Sequence, residues 1–119
     1  MRKYTEDHEW LEISGNIATV GITAHAADQL GDLVYVELPD VDTDVITGDE
    51  VVVIESVKAA GEVLAPCNGK IVAINEALIE DAEIVNHHPE TDGWLFKLEI
   101  KNLSQTEDMM DKQTYDATL

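Results

Sequence analysis

Strand-forming runs in this chain are short and always interrupted. WLEIS, IATVGIT, LVYVELP, VVVI, GEVL, KIVAIN and WLFKLEI are rich in branched and aromatic residues, and turn or polar residues soon break each one. That pattern leaves room for many brief strands and little sustained helix. It predicts a mainly β fold, a small sandwich or flattened barrel with short helices.

The punctuation places the segments. Ser14, Gly15 and Asn16 read as a hairpin turn between two strands. Thr23 is a helix N-cap, Ala26, Ala27 and Leu30 suit a short helix, and Gly31 stops it. In DLVYVELP, Leu33, Tyr35 and Glu37 fall on one face and Val34, Val36 and Leu38 on the other, until Pro39, with no N–H to donate, ends the ladder. Residues 51–54 form an unbroken apolar run, expected of a strand buried on both faces, and residues 61–64 form the next strand. Asn68 and Gly69 signal a turn before the strand KIVAIN, residues 76–89 carry one or two helical turns, and residues 94–100 are the last strand. Ser104, three residues before Glu107, reads as a capping box opening a C-terminal helix that runs to about Lys112.

At 119 residues the chain can build one sizeable core but not two, so residues 1–119 are expected to form a single domain. Asp and Glu number 25 against 7 Lys and Arg, a formal net charge of −18. Such a surface repels nucleic acid and anionic membranes, so neither is an expected partner. The acidity either serves solubility alone or steers the chain to basic surfaces on partner proteins, and self-repulsion favours a monomer.

Cys67 is the only cysteine; it offers no internal disulfide and reads as a packing residue in a reducing compartment. His87 and His88 adjoin Pro89, but neighbouring residues point apart on regular backbone, and no metal site is expected. The start of the chain lacks the apolar core of a signal peptide and the Arg- and Ser-rich composition of a transit peptide. A cytoplasmic bacterial protein is the expectation, although a mature mitochondrial form would read the same.

Against this acidic background Lys58 stands alone in SVKAA, between two strands that reverse direction, where side chains project from a rigid support. A lysine with its ordinary pKa of about 10.4 is a poor nucleophile, and nothing nearby in sequence desolvates it, so catalysis by Lys58 itself is not expected. The residues alone leave two readings. One is a solubilising lysine on a hairpin. The other is an amine displayed for acylation by a second enzyme, with Ser56, Ala59, Ala60 and Gly61 as small neighbours.

A series of motifs separates them. HEW at 8–10, ATVGIT at 18–23, LGDLVYVELP at 30–39, GD at 48–49, ESVKAA at 55–60, AP at 65–66, Gly69 and DGW at 92–94 together resemble, in order and nearly end to end, the glycine cleavage H-protein family. The resemblance implies the lipoyl/biotin-carrier sandwich, with lipoate covalently bound in amide linkage to Lys58, and a carrier rather than an enzyme. In that family the arm takes an aminomethyl group from glycine decarboxylase, a pyridoxal-phosphate enzyme, and delivers it to aminomethyltransferase. Dihydrolipoyl dehydrogenase then reoxidises the dithiol.

The same resemblance implies attachment by a lipoate ligase, or by an octanoyltransferase with lipoyl synthase. Recognition would fall on Glu55, Ser56, Val57, Ala59 and Gly69. It further implies a cleft that receives the arm, with Glu9, His25 and Glu62 as candidate lining residues. Many relatives have a Ser-Asp pair where this chain has Gly61 and Glu62. Biotin carriers usually flank the lysine with methionines, and dehydrogenase lipoyl domains usually place an aspartate before it; here the neighbours are Val57 and Ala59. A lipoyl relay or storage protein, donating lipoate to other carriers, is the remaining alternative.

Overall fold

The computed structural model describes residues 1–119. Three strands, β1 (Arg2–Tyr4), β2 (Glu9–Ser14) and β3 (Ile17–Ile22), precede the helix α1 (Ala24–Leu30). Then come β4 (Leu33–Glu37), β5 (Asp44–Val45), β6 (Glu50–Ser56), β7 (Ala60–Leu64) and β8 (Gly69–Ile74). Two single-turn helices, α2 (Ala77–Glu80) and α3 (Ile84–His87), lead to β9 (Phe96–Ile100), a 3-10 turn (Leu103–Thr106) and α4 (Lys112–Ala117).

Six strands in the order β1-β2-β3-β9-β8-β5 form one antiparallel sheet, and β4-β6-β7 form the other. Leu11, Val20, Ile71, Phe96 and Leu98 from the first sheet share one core with Leu33, Val36, Val52, Ile54 and Val63 from the second. Each such side chain contributes roughly 1.5–3 kcal/mol when fully buried. The result is a sandwich. It is not a closed flattened barrel, because no strand of one sheet pairs with a strand of the other; β1 and β5 are the edge strands of the first, β4 and β7 of the second.

Local signals account for much of this. Gly15 has φ 63, the positive value that the first position of a tight two-residue hairpin turn requires, and Ser14 pairs with Ile17 across it. Thr23 caps α1 by accepting the N–H of Ala26 on its hydroxyl, and Gly31 ends the helix at φ 79.

Three expectations change. Leu33 pairs with Ser56 but Tyr35 with Glu55, so a bulge at Val34 breaks the alternation of β4; Leu33 and Val36 turn inward while Val34 and Tyr35 are both exposed. Residues 51–54 are not buried on both faces: Val52 and Ile54 enter the core, Val51 is half-buried against it where the register with β7 shifts, and Val53 is half-buried outside the core. The turn expected at Asn68 and Gly69 is present as a bend before β8, and because β7 and β8 belong to different sheets it carries the chain across the sandwich. The C-terminal helix starts later than Ser104. Asn102, not Ser104, caps the 3-10 turn, accepting the Ser104 N–H and hydroxyl at 3.1 and 2.6 Å, and α4 begins after its own cap, Asp111.

Candidate functional site

β6 ends at Ser56 and β7 begins at Ala60, which leaves Val57, Lys58 and Ala59 exposed at the reversal. Ser56 builds this turn. Its N–H donates to Ala59 O at 2.7 Å, and its Oγ accepts the N–H of Ala59 at 3.0 Å and of Lys58 at 3.3 Å while donating to Ala59 O at 3.1 Å. A small hydroxyl residue is needed here for structural reasons: the tip is held by that side chain more than by ladder bonds.

The tip is braced by the segment that follows α1. Val57 N–H donates to Asp32 O at 3.0 Å. The Lys58 stem lies over Gly31, where an added Cβ would come within 3.1 Å of Lys58 Cε. Gly31 therefore serves twice, as the left-handed helix stop and as the flat floor beneath the lysine. Lys58 makes no ion pair.

Beside this brace, at Leu30, which precedes Gly31, and Gly61, which follows Ala60, a cleft of about 330 Å³ opens between α1 and β7. Ala26, Gln29 and Leu30, spaced i, i+3 and i+4, give it one wall, and residues 61–64 the other. Ile22 and Ile54 add apolar surface, and three carboxylates line it, Asp7, Glu9 and Glu62. No lysine or arginine does.

Glu9 is the unusual one of the three, being only 2% exposed. Thr5 Oγ1 donates to its Oε1 and Leu64 N–H to its Oε2, both at 3.1 Å. Burial outweighs these bonds and pushes its carboxyl up to about 7. The cleft thus holds a carboxyl poised to ionise near neutrality, beside an exposed Glu62.

Of the residues expected in the cleft, Glu9 and Glu62 line it and His25 does not. The His25 ring packs on His8 with centroids 4.8 Å apart. His8 Nδ1 and Thr23 Oγ1 lie 2.8 and 2.7 Å from the Tyr115 hydroxyl, and Tyr115 stacks on Tyr4 at 4.9 Å. His25 thus belongs to a cluster joining the start of α1 to α4. Gln29 and Asp7 take cleft positions that sequence reasoning missed; for Gln29 the available signal was its helical spacing from Ala26.

Among the residues grouped around Lys58 in sequence, Glu55, Ser56, Val57 and Ala59 surround the tip. Gly69 is not with them. It is buried at the start of β8, where a Cβ would collide with Glu99 O and Leu98.

A hairpin-borne lysine, flanked by an acidic, partly apolar cleft in a two-sheet sandwich, is a combination that comparison with known proteins can place. The sequence profile of the glycine cleavage H-protein family matches residues 2–119. This chain belongs to that family. The glycine cleavage system H protein of Thermotoga maritima is 54% identical over 115 residues, covering 97% of this chain and 93% of the relative. That of Phenylobacterium zucineum is 50% identical over 115 residues, covering 97% and 95%. The crystal structure of a glycine cleavage system H protein from Mycobacterium marinum superposes with a TM-score of 0.89 at 32% identity, covering 98% of this chain and 94% of that one. Membership gives the chain the family's role, a lipoyl carrier in the glycine cleavage system. No helix is long and apolar enough to cross a membrane.

Proposed function

We propose that Lys58 is the lysine that bears the lipoyl group, and that the cleft between α1 and β7 receives the loaded arm. The observation that carries this reading is the adjacency of the two: an exposed, unpaired lysine on a Ser56-braced tip, with Leu30 and Gly61, the chain neighbours of Gly31 and Ala60, lining the cleft. Lipoate supplies a dithiolane that carries both a one-carbon amine and a pair of electrons; the chain supplies the tether and the shelter. Amide linkage removes the charge of Lys58, so the apolar wall of Ile22, Leu30 and Ile54 suits the arm. The end of an aminomethyl-loaded arm is cationic, and Glu9 and Glu62, with Asp7 beside them in the lining, are the carboxylates that would face it. An ammonium beside Glu9 favours its ionised form and draws its pKa down from near neutrality.

In this reading residues 1–119 act as a single carrier domain and not as a catalyst. It takes the aminomethyl group from glycine decarboxylase, gives it to aminomethyltransferase, and presents the dithiol to dihydrolipoyl dehydrogenase. A lipoate ligase, or an octanoyltransferase with lipoyl synthase, would load Lys58 by docking on Glu55, Ser56, Val57 and Ala59. The net charge of −18 supports a monomer that meets basic partner surfaces in the cytoplasm.

The test is intact mass with peptide mapping after incubation with lipoate, ATP and a lipoate ligase. One lipoyl increment confined to Lys58, absent from Lys58→Arg, is expected, and that variant should show no glycine-dependent exchange. An increment on another lysine, or exchange surviving in Lys58→Arg, would overturn the assignment.

A further inference from the structure

The turn that braces the lysine tip is itself held by one side chain from a distant helix. Asn86, in α3, donates from Nδ2 to Gly31 O at 2.8 Å and accepts the N–H of Leu33 on Oδ1 at 2.8 Å. One planar amide fixes both the entry and the exit of the Gly31, Asp32, Leu33 segment. Everything that this segment offers to the lysine tip lies between those two bonds: Asp32 O, which accepts Val57 N–H at 3.0 Å, and the face of Gly31 beneath Lys58 Cε. Gly31 sits at φ 79, and glycine has more backbone freedom than any other residue, so its own chemistry does not hold the turn in place. The pairing of Leu33 with Ser56 holds only its exit, whereas Asn86 ties both ends, without lining the cleft.

We propose that Asn86 is a positioning residue for Lys58. By clamping the turn it sets the direction in which the lysine stem leaves the tip, over Gly31 and towards the cleft mouth at Leu30 and Gly61. Its functional readout rests on Lys58 being the lipoylated lysine; its structural readout does not.

The experiment compares Asn86→Ala and Asn86→Asp with Ile100→Val, a control for general loss of stability at the far end of β9. Asp retains the acceptor for Leu33 N–H and loses the donor to Gly31 O. Amide hydrogen exchange of the unlipoylated proteins is the first readout. In Asn86→Ala, exchange at Val57 should accelerate by about tenfold relative to core amides such as that of Leu98, with a smaller change in Asn86→Asp and none in Ile100→Val. Steady-state lipoylation is the second. The ligase KM for the carrier should rise several-fold in Asn86→Ala with kcat little changed, because fewer molecules hold the lysine in the competent orientation.

Val57 exchange rising only in step with Leu98, or a KM no higher than that of Ile100→Val, would overturn the proposal. Failure of the wild-type protein to accept lipoate would instead overturn the assignment of Lys58, and amide exchange would still decide the role of Asn86.

Discussion

Glu9 accepts the backbone N–H of Leu64 at 3.1 Å, tying a buried carboxyl of the larger sheet to the strand that leaves the lysine hairpin. The bond joins two residues that line the cleft, and it places an ionisable group where its protonation is felt by both sheets.

The pH dependence of stability should follow from that placement. The Glu9 pKa rises from an unfolded value of 4.5 to about 7 in the folded protein, so between those values the folded state holds a proton that the unfolded state has released. Stability contributed by this group therefore falls as pH rises from 4.5 to 7 and stays low above, by about 3 kcal/mol at most. Glu9→Gln can keep both contacts, its oxygen to Leu64 N–H and its NH2 to Thr5 Oγ1, and carries no charge. In urea unfolding, the variant should gain on wild type between pH 5 and pH 8. A pH-independent difference would mean that Glu9 ionises normally.

Cys67 should be chemically silent in the folded protein. It is fully buried, and burial together with the nearby Glu9 pushes its thiol up to about 11. Labelling with a thiol-specific reagent at pH 8 should proceed only as fast as the chain opens, and should become rapid in denaturant. Fast labelling of native protein would show a breathing route into the core.

The Tyr115 hydroxyl should be worth more than its ring alone. Tyr115→Phe retains the stack on Tyr4 but abandons His8 Nδ1 and Thr23 Oγ1, at an expected cost of about 1–2 kcal/mol. Thr23→Ala loses this contact and the cap of α1 as well. A double-mutant cycle by urea denaturation should give a coupling of about 1 kcal/mol. Strict additivity would mean that the hydroxyls do not support one another.

Two glycines should respond differently to alanine. At Gly15, φ 63, an added Cβ meets no atom within 4 Å, so the cost is backbone strain alone, about 1 kcal/mol. At Gly21 the Cβ would come 2.7 Å from Trp10 Nε1, and Trp10 is pinned by its bond to Pro89 O at 2.9 Å. Gly21→Ala should therefore cost roughly 1–3 kcal/mol or more through overpacking. Thermal melts of the two variants give the comparison, and equal losses would show that the indole shifts freely.

What could be seen in the sequence was local. Gly15 needs only its own φ, Thr23 only the amide three residues on, and Lys58 only the strands on either side. Ser104 shows the limit of such reasoning. It stands at the right distance from Glu107 for a capping box, yet Asn102 captures its hydroxyl first, and the helix moves to Asp111. Asn68 and Gly69 carry a turn signal that is correct about bending and silent about which sheet comes next. The Asn68 carboxamide instead accepts Thr47 N–H at 2.8 Å, a partner no local rule supplies. The cleft was half legible. Glu9 and Glu62 entered it through motif resemblance, but His25 and Gln29 lie within one helical turn, and only the packing of His25 on His8 decides which of them leaves the wall.

Lys58 is the only lysine or arginine between Lys3 and Lys70. The proposed lipoylation of Lys58 would take the formal charge from −18 one unit further negative and strip the last cation from that stretch. At the hairpin tip, a site of mixed sign beside Glu55 would become uniformly anionic. Charged and empty carriers would then differ in retention on an anion exchanger, and a partner with a basic dock would meet a stronger field from the lipoylated form than from the bare one.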